Sequence, residues 1–245
     1  MTVVALQGIR GGTGVTSIAA GLAWALQQCG ESVLVIDFSA DNLLRLYFNM
    51  PFEQINGWAR SSLDNLPWQD SIMTYTKGLS FLPYGKITDV ERLKLLKEYE
   101  QNLVLCKKNI LDLVAARRYD WIILDLPSEH LLLTECGIKL CDIVLLVLNP
   151  DVSCHARLHQ QKRPEQCYFL MNKYASTSTL QKDLYQMWLQ IVPDLLPLPI
   201  HHDETVAEAL AMKKPLGEYC SYSLAAEEIN ALAKWCLTKN SEIAK

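Results

Sequence analysis

The chain has 245 residues, 50% of them hydrophobic and 20% charged, which suits a globular protein large enough to bury a sizeable core. Its net charge of −4 disfavours a nucleic-acid partner, whose phosphates are held by clustered Lys and Arg. No basic stretch precedes the first apolar run, and apolar runs such as Ile143–Leu148 are far too short for a bilayer, so a cytoplasmic protein is expected. With no linker, repeat or low-complexity tract, residues 1–245 read as one domain.

Short β-branched runs alternate with helix-period segments. Val3–Gln7 predicts a strand. A helix follows over Thr16–Cys29, with Ile18, Leu22, Leu26 and Cys29 on one face and Gly30 to stop it. Ser32–Asp37 predicts the second strand. Asn42–Phe48 has a helical pattern and Leu79–Pro83 that of a short strand, while the fold of residues 49–78 is not legible. Helix Asn102–Arg117 leads into strand Trp121–Leu126. Ile143–Leu148, Cys167–Met171 and, despite its prolines, Leu195–Ile200 predict three more strands. Helices over Glu204–Lys213 and Leu224–Leu237 close the chain. The sum is an α/β fold: a doubly wound, mostly parallel sheet of about seven strands flanked by helices. The eight cysteines show no C-x-x-C spacing and read as reduced, mostly core residues. His155 and His159 lie a helical turn apart with no carboxylate ligand beside them, and read as structural.

Between the first strand and the first helix lies Gly8-Ile9-Arg10-Gly11-Gly12-Thr13-Gly14-Val15-Thr16-Ser17. Glycines let this backbone curl so that successive N–H groups turn inward, and the helix start adds positive potential, making a cradle for phosphates. A hydroxyl at the helix start, Thr16, is placed to ligate Mg²⁺ carried by those phosphates. The context predicts a nucleoside triphosphate site built from Gly11, Gly12, Thr13, Gly14, Val15, Thr16 and Ser17.

The loop resembles the deviant Walker A motif of the MinD/ParA ATPases, K-G-G-x-G-K-[ST]. In that family the first lysine reaches across an ATP-sandwich dimer and the second cradles the phosphates. Here those positions are Arg10, which keeps a permanent charge suited to phosphate, and Val15, which has none. The resemblance makes Asp37, closing Val33-Leu34-Val35-Ile36-Asp37, the first switch aspartate. Where the family carries its water-orienting aspartate this chain has Ser39, with Asp41 nearby as a substitute. Trp121-Ile122-Ile123-Leu124-Asp125-Leu126-Pro127 resembles Walker B, which makes Asp125 the holder of magnesium through its water shell. Asn149-Pro150-Asp151-Val152-Ser153 resembles the dimer-face segment N-P-E-V-S, and Asn172 stands where the adenine-reading asparagine belongs. Ile200-His201-His202-Asp203 matches the family's I-P-E-D loop only at its ends. With no ammonium at 15 and no carboxylate at 39, ATP hydrolysis is expected to be weak or absent.

Stretches outside the nucleotide motifs carry a narrower resemblance. Asp41-Asn42-Leu43-Leu44-Arg45-Leu46, Gly57-Trp58-Ala59-Arg60, Arg157-Leu158-His159-Gln160-Gln161 and Ala225-Ala226-Glu227-Glu228-Ile229 are similar to the BcsQ family of cellulose-biosynthesis proteins. That resemblance implies an ATP- and Mg²⁺-binding homodimer that serves the assembly or localisation of bacterial cellulose synthase. It further implies a small BcsR-like partner, contact with BcsE, and peripheral recruitment to the inner membrane through such partners. The alternative is an active MinD-like ATPase switch that cycles between nucleotide states.

Overall fold

In the computed structural model, which describes residues 1–97, 99–128, 132–161, 163–164 and 167–243, the apolar runs become a seven-stranded sheet. The strands are β1 (Thr2–Gly8), β2 (Val33–Asp37), β3 (Met73–Thr76), β4 (Leu79–Leu82), β5 (Trp121–Leu126), β6 (Ile143–Leu148) and β7 (Tyr168–Met171). They lie in the order β3-β4-β2-β5-β1-β6-β7, parallel throughout except for the antiparallel pair β3–β4. β1, β2, β4, β5 and β6 are buried along their whole length, because helices cover both faces. Double burial is why they read as continuous apolar runs without alternation.

The helices are α1 (Val15–Gln28), α2 (Leu44–Tyr47), α3 (Trp58–Leu63), α4 (Asp89–Lys97), α5 (Tyr99–Ala115), α6 (Leu132–Ile138), α7 (Val152–Gln160), α8 (Thr179–Ile191), α9 (Thr205–Ala211), α10 (Leu216–Tyr219) and α11 (Leu224–Ile243). One core joins Ile18, Leu22 and Leu26 of α1 to Ile229, Leu232 and Cys236 of α11. The other, on the opposite face of the sheet, gathers Trp58, Trp68, Ile110, Leu113 and Trp188. Each such side chain contributes about 1.5–3 kcal/mol by leaving water. Cys29, expected on the apolar face of α1, is instead its exposed C-cap, because the helix ends one residue earlier. Of the other described cysteines, Cys154, Cys167, Cys220 and Cys236 are buried free thiols, and Cys136 and Cys141 are half-buried. The side chain of Cys106 lies outside the described residues.

The strand count agrees with expectation, but one member differs. Leu195–Ile200 is not a strand: it makes only the isolated bridges Phe169–Leu195 and, just beyond it, Tyr174–His201. Within it only Leu196 and Ile200 donate to β7, at 2.8 and 2.9 Å, while Pro197 and Pro199, with φ fixed by their rings, flank a Leu198 that skips the ladder. The seventh strand is β3, from the 49–78 segment, whose sequence has no legible pattern. It is a four-residue edge strand whose Met73 and Tyr75 pack on the core. The same segment is tied down by Trp58 and Ala59, whose N–H groups donate to Pro83 O and Tyr84 O at 3.0 Å. Trp58 and Trp68 pack with Phe38, while Phe52 remains 55% exposed. Among the described residues no helix is long and apolar enough to cross a membrane.

Candidate functional site

Parallel strands bring their C-terminal ends to one edge of the sheet, where α/β folds place their ligands. That edge gathers the loop after β1, Asp37 at the end of β2, Asp125 in β5, the Asn149–Asp151 turn after β6 and Asn172 after β7.

The residues expected to cradle phosphates form a tight curl. Gly12 and Gly14 have positive φ, 77° and 91°. A Cβ on Gly14 would stand 2.5 Å from Asn172 Nδ2, so only glycine fits there. Thr13 is buried and its hydroxyl donates to Arg10 O at 3.2 Å, closing the curl from within. Gly11 and Gly12 are exposed. Gly14 is the N-cap of α1 and offers no side-chain cap, so that among the described residues the N–H groups of the first turn can face an anion. Val15 opens α1 and packs on the core under the loop as an apolar anchor. Ser17 is half-buried and shares a 2.7 Å hydrogen bond with the Tyr47 hydroxyl of α2.

Below the loop sit two carboxyls. Asp37 and Asp125 occupy one register position of the adjacent strands β2 and β5, at 0% and 1% exposure. Asp37 accepts from the N–H of Ser39 at 2.8 Å and of Leu44 at 3.2 Å, and the Trp58 indole donates to its carbonyl at 2.6 Å. Asp125 Oδ2 is buried and, among the described residues, has no partner. Burial raises both carboxyls; the Asp125 charge pushes Asp37 further up, while the Thr16 hydroxyl pulls Asp125 partly back. An orphaned buried carboxylate oxygen beside the hydroxyl at a helix start is a donor set that fits a magnesium ion with its waters. Asp41 is exposed on the loop between β2 and α2, near enough to raise Asp37, with its N–H 3.3 Å from Ser39 Oγ.

Arg10 does not point freely outward. Its guanidinium bonds Asp151 at 2.5 Å and Gly11 O at 2.8 Å. Asp151 is also the N-cap of α7, its other oxygen accepting from Cys154 N at 2.8 Å. These bonds raise the Arg10 pKa and, against its burial, hold the Asp151 carboxyl below its ordinary range.

Asn172 is buried, and its amide donates to Thr13 O at 2.7 Å. The next residue, Lys173, has a left-handed backbone (φ 57°), and its ammonium donates to Gly12 O at 2.9 Å. The structure thus brings every predicted site residue to one edge. It adds Tyr47, Asp151 and Lys173, which no spacing in the sequence ties to the loop. His155 takes a structural role, its Nδ1 accepting from the buried Trp188 indole at 3.1 Å.

Comparison with known proteins places this geometry in context. The sequence profile of the family described as cellulose biosynthesis protein BcsQ matches residues 1–237. Cellulose biosynthesis protein BcsQ of Salmonella typhimurium is 50% identical over 237 residues, covering 97% of this chain and 94% of the relative. That of Escherichia coli K12 is 46% identical over 241 residues, covering 98% and 96%. Among solved structures, the septum site-determining protein MinD of Pyrococcus horikoshii, complexed with Mg-ADP, has a TM-score of 0.76 at 23% identity, covering 96% of this chain and 95% of its own. Cobyrinic acid a,c-diamide synthase of Mycobacterium smegmatis, with a bound ATP analogue and magnesium, has a TM-score of 0.74 at 19% identity, covering 97% and 94%.

Proposed function

The chain belongs to the family of cellulose biosynthesis protein BcsQ, and from that premise we propose that it binds Mg·ATP at the loop 8–17 and dimerises around it. The observation that carries this reading is the uncapped first turn of α1 under a glycine curl, beside the unpartnered buried Asp125 Oδ2. The ligands printed for the two structural neighbours, Mg-ADP and an ATP analogue with magnesium, support the same ligand class. Bound magnesium supplies positive charge to the phosphate oxygens.

The chain's own groups do the rest. The N–H groups of Gly11 to Ser17 receive the phosphates, Thr16 and Asp125 hold the metal and its waters, and Asn172 offers its amide oxygen to an adenine amine. Arg10 exchanges Asp151 for the phosphates of a second copy, which makes the nucleotide a bridge between protomers. With Val15 and Ser39 in place of a cation and a carboxylate, hydrolysis is slow and the dimer persists. A persistent dimer suits an accessory platform for assembly or localisation of the cellulose synthase complex. A small BcsR-like partner and BcsE would dock on it and keep it peripherally at the inner membrane.

Calorimetry on Thr16→Ala and Gly12→Asp tests the site. The first removes the hydroxyl ligand; the second puts a side chain and a negative charge at a residue with φ 77°. Each is expected to weaken Mg·ATP binding at least about tenfold, the loss of one charge-assisted contact. Wild-type affinity in both would remove this loop as the site.

A further inference from the structure

The loop after β7 does more than stand near the phosphate loop; two of its consecutive residues grip two consecutive carbonyls of it. Asn172 Nδ2 holds Thr13 O at 2.7 Å, and Lys173 Nζ holds Gly12 O at 2.9 Å. In a trans peptide the carbonyl and the N–H of the same plane point in opposite directions, and this chain has no cis peptide among its described residues. Fixing Gly12 O on one side therefore aims the Thr13 N–H to the other, and fixing Thr13 O does the same for the Gly14 N–H. Lys173 reaches its carbonyl from a left-handed backbone, φ 57°, a conformation that costs a lysine free energy and persists where the surroundings enforce it. The side chain is solvent-exposed, and its stem passes Gly14, with Cε 3.8 Å from where a Gly14 Cβ would stand. Arg10 is engaged by Asp151, and Val15 carries no charge. Lys173 has no carboxylate partner among the described residues, so its charge is not neutralised by an acid.

We propose that Lys173 is a positioning residue of the phosphate loop. Its ammonium on the Gly12 carbonyl keeps the curl that turns the loop's N–H groups toward a polyphosphate, and it returns to the loop the positive charge missing at Val15. The proposal rests on the nucleotide reading of the site and adds to it a physical link between the base side and the phosphate side.

Lys173→Met keeps the stem and removes the ammonium. Calorimetry with ATP, ADP and adenosine, and hydrogen exchange of the loop amides without nucleotide, are measured beside wild type and Lys173→Arg. The methionine variant is expected to bind ATP and ADP about tenfold more weakly. Its adenosine affinity should be unchanged, with the Thr13 and Gly14 amides exchanging faster; arginine should restore most of both effects. Unchanged ATP affinity with unchanged exchange overturns the proposal. So does an equal loss for adenosine, which would make Lys173 a base contact, or a failure of arginine to rescue. If wild type itself binds no ATP, the nucleotide reading falls, while the exchange of the loop amides still decides the clamp.

Discussion

Asp37 and Asp125 face each other across one register position of two parallel strands, both removed from water, with one carboxylate oxygen of Asp125 lacking any partner among the described residues. A carboxyl whose pKa is higher folded than unfolded binds its proton more tightly in the folded chain. Its stabilising effect is complete below the unfolded value near 4 and is lost as pH rises through the folded value. Asp125 is pushed up to about 7, and Asp37 also lies well above its ordinary range. The ligand-free protein should therefore lose stability between about pH 4 and pH 7. Asp125→Asn should flatten that slope and, at pH 7.5, raise stability by about 1.4 kcal/mol or more, roughly 3 °C in Tm. Mg·ATP should stabilise wild type and fail to stabilise the variant. Thermal melts across pH, with and without Mg·ATP, decide this; a variant no more stable than wild type at pH 7.5 would show that the pair carries no such strain.

Arg10 cannot serve Asp151 and the phosphates of a second copy at once. Asp151→Ser keeps an oxygen to cap α7 while deleting the ion pair, so helix stability should change by only a few tenths of a kcal/mol. The freed Arg10 should raise the dimer fraction in ATP, and Arg10→Ala should abolish it. Light scattering at several protein concentrations reads both. An Arg10→Ala protein that dimerises normally in ATP would exclude the bridging role.

Hydrolysis by wild type should stay well below about 1 s⁻¹, under the usual enzymatic range. Val15 and Ser39 are the two absences held responsible, and one oriented electrostatic group is worth about a hundred- to thousandfold in rate. The double substitution Val15→Lys with Ser39→Asp should raise phosphate release by at least about a hundredfold. A wild-type turnover at or above about 1 s⁻¹ would instead favour the cycling switch, with the exposed Asp41 as the group to substitute next.

The elements legible in the sequence are those whose pattern comes from local chemistry or from complete burial. β1, β2, β5 and β6 show as apolar runs because both faces are covered, and α1 shows through its 3.6-residue stripe. The glycine loop shows because its tight curl needs positive φ at fixed positions, here Gly12 and Gly14. Only the tertiary structure decided what depends on contacts between distant residues. Leu195–Ile200 has the apolar pattern of a strand, but beside β7 it bonds only through Leu196 and Ile200 and skips Leu198 between its two prolines, and the edge place opposite goes to β3. The pairing of Arg10 with Asp151 spans 141 positions, and that of Lys173 with Gly12 spans 161. No local periodicity encodes such separations. Asp37 and Asp125 could each be named from its own strand, yet their shared register, and hence their mutual effect on ionisation, exists only once β2 and β5 lie side by side.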